Sequence, residues 1–413
     1  MSVRLPAPPS AHVTPAHMTL WDEVSRVSAR HVEPRVARME AASRKVERKL
    51  PQIFGGRRWF GVTIPTEYGG LGAGHVAKTV LIHRLAMASG AAAAILQAGL
   101  IPVGAMQLWG TTAQKARWLP QAADGTVLMT IAVTEPEAGG HIGGIETAAE
   151  RDGDEWVITG EKTHIGNSCL AHLHLVVART AAPGTRPSEG LTMFLVEHDR
   201  PGVSATQPRP RLGLHGFSAG HLTLDRVRVP AENTLGAVGE GLFVAQSSSI
   251  LYGRPNLAAL SLGLHEAVVT TTAEWLSSRP RYGGHLSDLG VVRDRLGQMQ
   301  ARLVQARTLA YHAVHRLDNG HSCDADLISA KYAGHELAAA SGRDAMELHG
   351  ARGLDVDYPL QRLWRDIQHT YPPAGTGEIQ RLHLARTSLG TTPIEWSERL
   401  AAETSWTRDP VAV

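Results

Sequence analysis

The chain has 413 residues, 43% apolar and 19% charged, with a formal net charge of +2. That length can bury a large core in two or three structural units, and the near-neutral charge with scattered basic residues excludes an electrostatic case for nucleic acid. Cys169 and Cys323 are too few for a disulfide framework and suit a reducing cytoplasm, and the 21 histidines lie singly, without metal-ligand spacing, so they are read as structural.

The opening segment, residues 1–19, is rich in proline, has no apolar run behind a basic head, and reads as a flexible leader. Residues 20–126 carry a helical pattern. "WDEVSRVSARHVEPRVARMEAASRKVERKL" spaces apolar residues three and four apart, as an amphipathic surface helix or pair does. "PTEYGGLGAG" interrupts the helices, and "TTAQKARWLPQAADG" predicts a capped helix ending at Gly125. Between Leu85 and Gln114 no residue is charged. Length alone would allow a membrane span, but Ser89, Gln97, Pro102 and Gln107 interrupt the run, so buried helices joined near Pro102 are expected, and no membrane.

Residues 127–238 read as strands: "VLMTIAVTEP", "WVITGEKTHIGNS", "LHLVVART", "LTMFLVEHD" and "GHLTLDRVRVP" are β-branched or alternating runs separated by Pro and Gly. A small antiparallel sandwich or barrel is expected there. The helical pattern returns over residues 239–391, with turns at "SSRPRYGGHLSD" and "HGARGLDVDYP", and residues 392–413 read as a tail.

Six of these stretches, taken in order, give a resemblance to the acyl-CoA dehydrogenase superfamily over nearly the whole chain. They are "AVTEPEAGG", "GEKTHIGNS", "LTLDRVRVPAENTLG", "SSRPRYGG", "LHGARGLDVDYPLQRLWRDIQ" and "AGTGEIQR". The resemblance implies an α+β fold with an N-terminal helical domain, a central antiparallel β domain and a C-terminal four-helix bundle. It implies a homotetramer or homodimer, with the FAD ring between the β domain and the bundle. By position, Thr134 would face the flavin pyrimidine, Gly140 the phosphate-binding loop, and His164 and Gly166 the flavin ring, where the family carries Trp and Thr. Arg279 and Tyr282 would meet the FAD of a neighbouring subunit. Glu347, Gly350, Thr376 and Glu378 would approach the cofactor. Tyr252, Gly253, Arg254, Ala374 and Gly375 would line the substrate site.

Family chemistry removes a proton next to a thioester carbonyl with a carboxylate while flavin takes a hydride. The carboxylate usually precedes Gly-Thr, where this chain has Ala374; an alternate position precedes Arg254, where it has Gly253. The catalytic base is therefore unassigned. Tyr252, Tyr371, Glu378 and His164 lie near enough in sequence to be weighed as substitutes. A tyrosine is a poor base near neutral pH, Glu378 reads as facing along its helix, and His164 as filling space left by the Trp. Gly166 and His164 would open the flavin face, and Gly253 and Ala374 would enlarge the pocket. Glu347 would repel the pyrophosphate by roughly 3 kcal/mol at about 5 Å and an effective dielectric near 20 unless offset.

The expected function is an acyl-CoA dehydrogenase-like flavoprotein acting on an acyl thioester, carried by coenzyme A or a carrier protein, without ordinary α,β-desaturation. The alternatives are a flavin-dependent monooxygenase, a non-redox enzyme on the same fold, or a non-catalytic subunit of a hetero-oligomer with a related chain. FAD is the implied cofactor, with FMN or none left open; no metal is expected.

Overall fold

A computed structural model describes residues 11–182, 185–206 and 211–403. The first helix, α1 (Pro15–Val27), starts inside the segment expected to be a loose leader, because Thr14 and His17 form a reciprocal capping box. It continues through a wide π turn into α2 (Glu33–Ala41), and α3 (Lys49–Gly55) follows. The uncharged stretch is not two helices joined at Pro102. It divides at Ser89 into α4 (Gly74–Ala88) and one unbroken helix, α5 (Gly90–Trp109), with Pro102 inside it. Ser89 caps α5 through the Ala92 amide, which fixes the break there. Although α5 is long and apolar enough to cross a membrane, 89% of its most apolar window is buried, so it is the core helix of the domain. The helix α6 (Thr112–Ala123) has the predicted cap, Thr111 with Gln114.

Eight strands form the β domain: β1 (Met129–Ala132), β2 (Ala148–Asp152), β3 (Glu155–Gly166), β4 (Leu173–Arg179), β5 (Leu191–Glu197), β6 (Val203–Thr206), β7 (Ala219–Pro230) and β8 (Thr234–Leu235). A single turn, α7 (Pro187–Gly190), leads into β5. Pairing is antiparallel except where β1 and the end of β2 run parallel to β4. Alternation along β4 and β5 assigns the two faces. Leu173, Leu175, Val177, Met193 and Leu195 join the helical core, whereas Val176, Ala178, Phe194 and Val196 join a second core with Ile158, Leu222 and Val227. The sheet thus folds over its own interior and turns its other face to the helices.

The C-terminal region opens with α8 (Gly241–Ser248) and a π turn, Ser249–Gly253, that runs directly into α9 (Arg254–Ser278). The long helices α10 (Gly290–Asp318) and α11 (Asp324–His349) pack with α9, and the shorter α12 (Pro359–Gln368) and α13 (Gly377–Ser388) complete the bundle against α11. The expected tail is partly structured: α14 (Trp396–Glu403) docks because the Asp324 carboxylate accepts the amides of Trp396 and Ser397 at 2.8 and 2.9 Å. Trp396 then packs its ring against Trp109 and Phe243.

Many histidines are buried and bonded to protein groups, as His83 is to Tyr311 and Glu266, and His265 to Ser341. Among the described residues no group of three His, Cys, Asp or Glu side chains could hold a metal ion. Burial, with His198 and His172 nearby, lowers His174 to about 3; burial lowers His265 to about 3 and His383 to about 4. Below pH 6.5 the unfolded chain takes up protons that the folded chain refuses, so stability is full above 6.5 and falls as pH drops toward 3. We expect the urea midpoint to decline between pH 7 and 4.5, and His174→Leu to make that decline shallower; a midpoint independent of pH would exclude this account.

Candidate active site

The strand end and turn at residues 133–135 are held by a buried ion pair. Lys162 on β3 lies 2.7 Å from Glu135 and donates to the Val133 carbonyl at 3.1 Å, bracketing Thr134. The other bonds of Glu135 come from the amides of Glu146 and Thr147, at 2.6 and 3.0 Å. Burial brings Lys162 down to about 8, while its ammonium and the two amides hold the Glu135 carboxyl below its ordinary range. The Thr134 carbonyl accepts the Thr163 amide at 2.8 Å, so the turn is tied to β3 by main chain and side chain together.

Just beyond, β3 and β7 lose register between Lys162 and Ile165. His164 sits in that irregularity with φ 59° and is re-aimed by it, as bulges do beside functional sites. Its Nδ1 lies 2.9 Å from an Arg211 Nη, and Arg211 also donates to the Ala219 carbonyl. Partial burial, then Arg211, lowers the ring's pKa below its ordinary value. The open space expected at Gly166 is filled: a Cβ there would stand 3.0 Å from the Phe217 ring and 3.1 Å from Ala98.

Across from this wall runs the segment Tyr371–Thr376. Lys331, on α11, donates to the carbonyls of Tyr371 and Gly375 at 2.6 and 2.7 Å. Gln380 donates to those of Ala374 and Gly375 at 2.8 and 2.9 Å. These bonds hold Ala374 and Gly375 in left-handed conformations, φ 55° and 95°. Gly253 ends the π turn before α9, and a Cβ on it would lie 3.2 Å from the Ala374 methyl. The usual and alternate base positions therefore converge on one point, and neither brings a carboxylate to it. The two small residues are near neighbours, and any side chain added at 253 would crowd the Ala374 methyl. Arg254, also buried, directs Nε toward the Ala374 carbonyl at 3.5 Å.

The substitute bases fail on geometry or charge. Tyr252 does not line the site as expected. It is a core residue, its hydroxyl donating toward Thr63 and Gln107 at 3.3 and 3.0 Å and its ring packed where a Gly104 side chain would be. Burial pushes its pKa up. Tyr371 donates to Glu378 at 2.8 Å, which together with the Thr376 hydroxyl and Arg381 brings the Glu378 carboxyl down to about 2. That exposed pair satisfies itself.

Thr376 is the N-cap of α13 and makes no side-chain cap bond to its amides, while Glu378 brings an exposed carboxylate to the same first turn, bonded by Tyr371, its own amide and the Thr376 hydroxyl. Gly140 is exposed, and the nearest atom to a Cβ there is an Ile379 methyl at 3.8 Å. Gly253, Arg254, Ala374, Gly375, Thr376 and Glu378 thus lie together, and Gly140 meets them through Ile379; Thr134, His164 and Gly166 share the strand end and its turn.

Arg279, Tyr282, Glu347 and Gly350 form another group. Residues 280–285 make a small hairpin with Tyr282 at its tip, φ 50° and 88% exposed. Arg279 lies over the Trp275 ring, which stacks on His349 at 5.3 Å, bringing the hairpin base to the end of α11. Glu347 is not an unopposed charge. Arg295 bonds it directly and Asp344 at 3.1 Å, which removes the expected repulsion at its source. No hydrogen bond or ion pair among the described residues joins this group to the first. Sequence reasoning missed Lys162, Arg211, Phe217, Lys331 and Gln380. Lys331 was detectable as a lysine on a helix face shared with Leu327, Gly334 and Ala338; Phe217 carried no such signal.

Gly166→Thr should cost about 1–3 kcal/mol by overpacking against Phe217. Phe217→Ala in the same chain should recover part of that loss in urea unfolding, and strict additivity of the two changes would contradict the contact.

Residues 14–126, 130–227 and 239–389 match the families described as Acyl-CoA dehydrogenase N-terminal, middle and C-terminal domains. The chain is 30% identical to "Acyl-CoA dehydrogenase" of Bacillus subtilis (strain 168) over 382 residues, 92% of this chain and 100% of that protein. Butyryl-CoA dehydrogenase from Megasphaera elsdenii superposes with a TM-score of 0.88 at 25% identity, covering 94% of this chain and 100% of that one. The prolyl acyl carrier protein oxidase AnaB does so with a TM-score of 0.84 at 25% identity, covering 91% and 99%. Members of this family are FAD-dependent oxidoreductases. With all three domains present in order, the chain belongs to the acyl-CoA dehydrogenase family.

Proposed function

We propose that this protein is a FAD-dependent oxidoreductase that acts on an acyl group held as a thioester and does not perform ordinary α,β-desaturation. The observation that carries this reading is the meeting of Gly253 and Ala374, 3.2 Å apart by the Gly253 Cβ direction, with no carboxylate from either side. An unactivated proton next to a thioester carbonyl is weakly acidic, and its removal needs a base within hydrogen-bond reach. The thioester reading is supported by the relatives, whose names include coenzyme A thioesters and one carrier-protein substrate.

When bound, FAD supplies a two-electron acceptor. Thr134, fixed by Lys162 and Glu135, would face its ring. Lys331 and Gln380 hold the 371–376 segment in place, and Arg211 meets the His164 ring. The exposed Arg279–Tyr282 hairpin fits an association in which one subunit reaches the cofactor of another. Retention of that hairpin beside a site without a base also supports a second reading, a subunit that completes the cofactor site of a related, base-bearing chain.

The purified protein should show a flavin absorbance band that survives desalting after addition of FAD. The loaded wild type should give no enoyl thioester from straight-chain acyl-CoAs, whereas Ala374→Glu should give measurable substrate-dependent bleaching; a flavin-loaded mutant inert across a broad acyl-CoA panel would count against this placement. Wild-type desaturation of those substrates would overturn the proposal outright. Arg279→Ala should weaken FAD retention at least tenfold, since a charge-assisted contact to phosphate contributes about 1.5–3 kcal/mol; unchanged retention would remove the hairpin from the cofactor site.

A further inference from the structure

Two buried cations of this chain meet carboxylates, Lys162 at 2.7 Å from Glu135 and Arg307 at 2.6 Å from Glu266, and a third, Lys78, meets the His75 ring at 2.8 Å. Beneath the 371–376 segment two more buried cations lie close together. Arg254 is 4% exposed and Lys331 2% exposed, yet no carboxylate among the described residues lies within ion-pair distance of either. Lys331 is bonded to two carbonyls of the segment, Arg254 reaches a third only at 3.5 Å, and the Arg254 Nη1 has no partner. Asp324 and Glu336 act on the pair from further away, and Asp324 is already committed to the amides of α14. His383 also feels Arg254 as a positive neighbour. A buried guanidinium with an unused N–H is costly unless an anion completes it. The residues that would have brought one, at 253 and 374, are glycine and alanine.

We propose that Arg254, assisted by Lys331, is the counter-charge for a carboxylate carried by the substrate within two carbons of its thioester carbonyl. The inference rests on the thioester reading above, because that reading sets position 374 beside the carbon next to the carbonyl. A substrate carboxylate there occupies the charge position that a side chain would otherwise fill. A planar carboxylate suits the free edge of a guanidinium, which forks onto two oxygens. On the segment itself Pro372 and Pro373 are exposed and Ala374 and Gly375 half-buried. The consequence is selectivity: an acyl thioester bearing a carboxylate near the carbonyl should bind better than its uncharged isostere.

The test uses the FAD-loaded full chain and two isosteric pairs, succinyl-CoA with 4-methylpentanoyl-CoA and methylmalonyl-CoA with 2,3-dimethylbutanoyl-CoA, titrated calorimetrically. In at least one pair the carboxylate-bearing member should bind at least tenfold tighter. Arg254→Met should bring its members to equal affinity, and Arg254→Lys should retain part of the preference. Ala374→Glu, which supplies a carboxylate from the chain and leaves both cations in place, should also abolish the preference. Equal affinities in the wild type for both pairs overturn the proposal while leaving the thioester reading standing, and so does a preference that survives in Ala374→Glu. If no thioester binds, the thioester reading falls, and succinate alone decides the anion site by thermal unfolding. A succinate-dependent rise in the wild type that Ala374→Glu lacks supports the site. The same rise in both, or none, overturns it.

Discussion

The three parts of this chain are held in register by α5, and they are held through its backbone. A helix rarely offers its carbonyls to other domains, because each is already bonded four residues on. In α5 the Ile95 carbonyl accepts the Asn167 side chain from the end of the β domain at 2.8 Å, and the Gln97 carbonyl accepts that of Asn256 from α9 at 3.1 Å. Positions 95 and 97 lie on different sides of the helix, so one element bonds the β domain and the bundle separately.

Within that frame, buried charge is used for positioning. Glu135 and Lys162 bracket Thr134, and Glu266 gathers His83 and Arg307 between α4, α9 and α10. Such pairs add little net stability compared with apolar residues of the same shape, but losing one partner is expensive, so they fix geometry. Arg254 and Lys331 belong to the same set by burial and differ from it in having carbonyls where the others have a carboxylate. The absence of the base is thus more than a lost catalytic group. It leaves the two cations under the 371–376 segment with carbonyl partners and only more distant carboxylates.

Departures at the flavin face follow the same logic of compensation. Gly166 is small because Phe217 leans on it, and Phe217 in turn packs among Ala91, Ala94 and Leu214. His164 replaces a large aromatic ring, with Arg211 closing over it. Glu347 is matched by Arg295 one helix away. Read singly in the sequence, each looks like a loss of a cofactor contact. In the folded chain each has a partner that arrived from another element.

What the sequence alone determined here was the kind of structure and the missing group. Local signals are short-ranged: period-3.6 and period-2 patterns, the Thr111 cap, and six motifs in order sufficed for the helix–sheet–helix architecture. A residue type at a motif position sufficed to see that Ala374 and Gly253 lack a carboxylate. The structure decided what depends on pairs distant in the chain. It merged the run around Pro102 into one helix, because buried packing outweighs a single missing amide bond. It took Tyr252 into the core, closed the space at Gly166, and docked α14 through Asp324. It also showed that Gly253 and Ala374 face one another across about 120 residues of sequence, beside an arginine with an unfilled hydrogen bond. Such coincidences follow from the geometry of tertiary contacts, which no local pattern along a chain encodes.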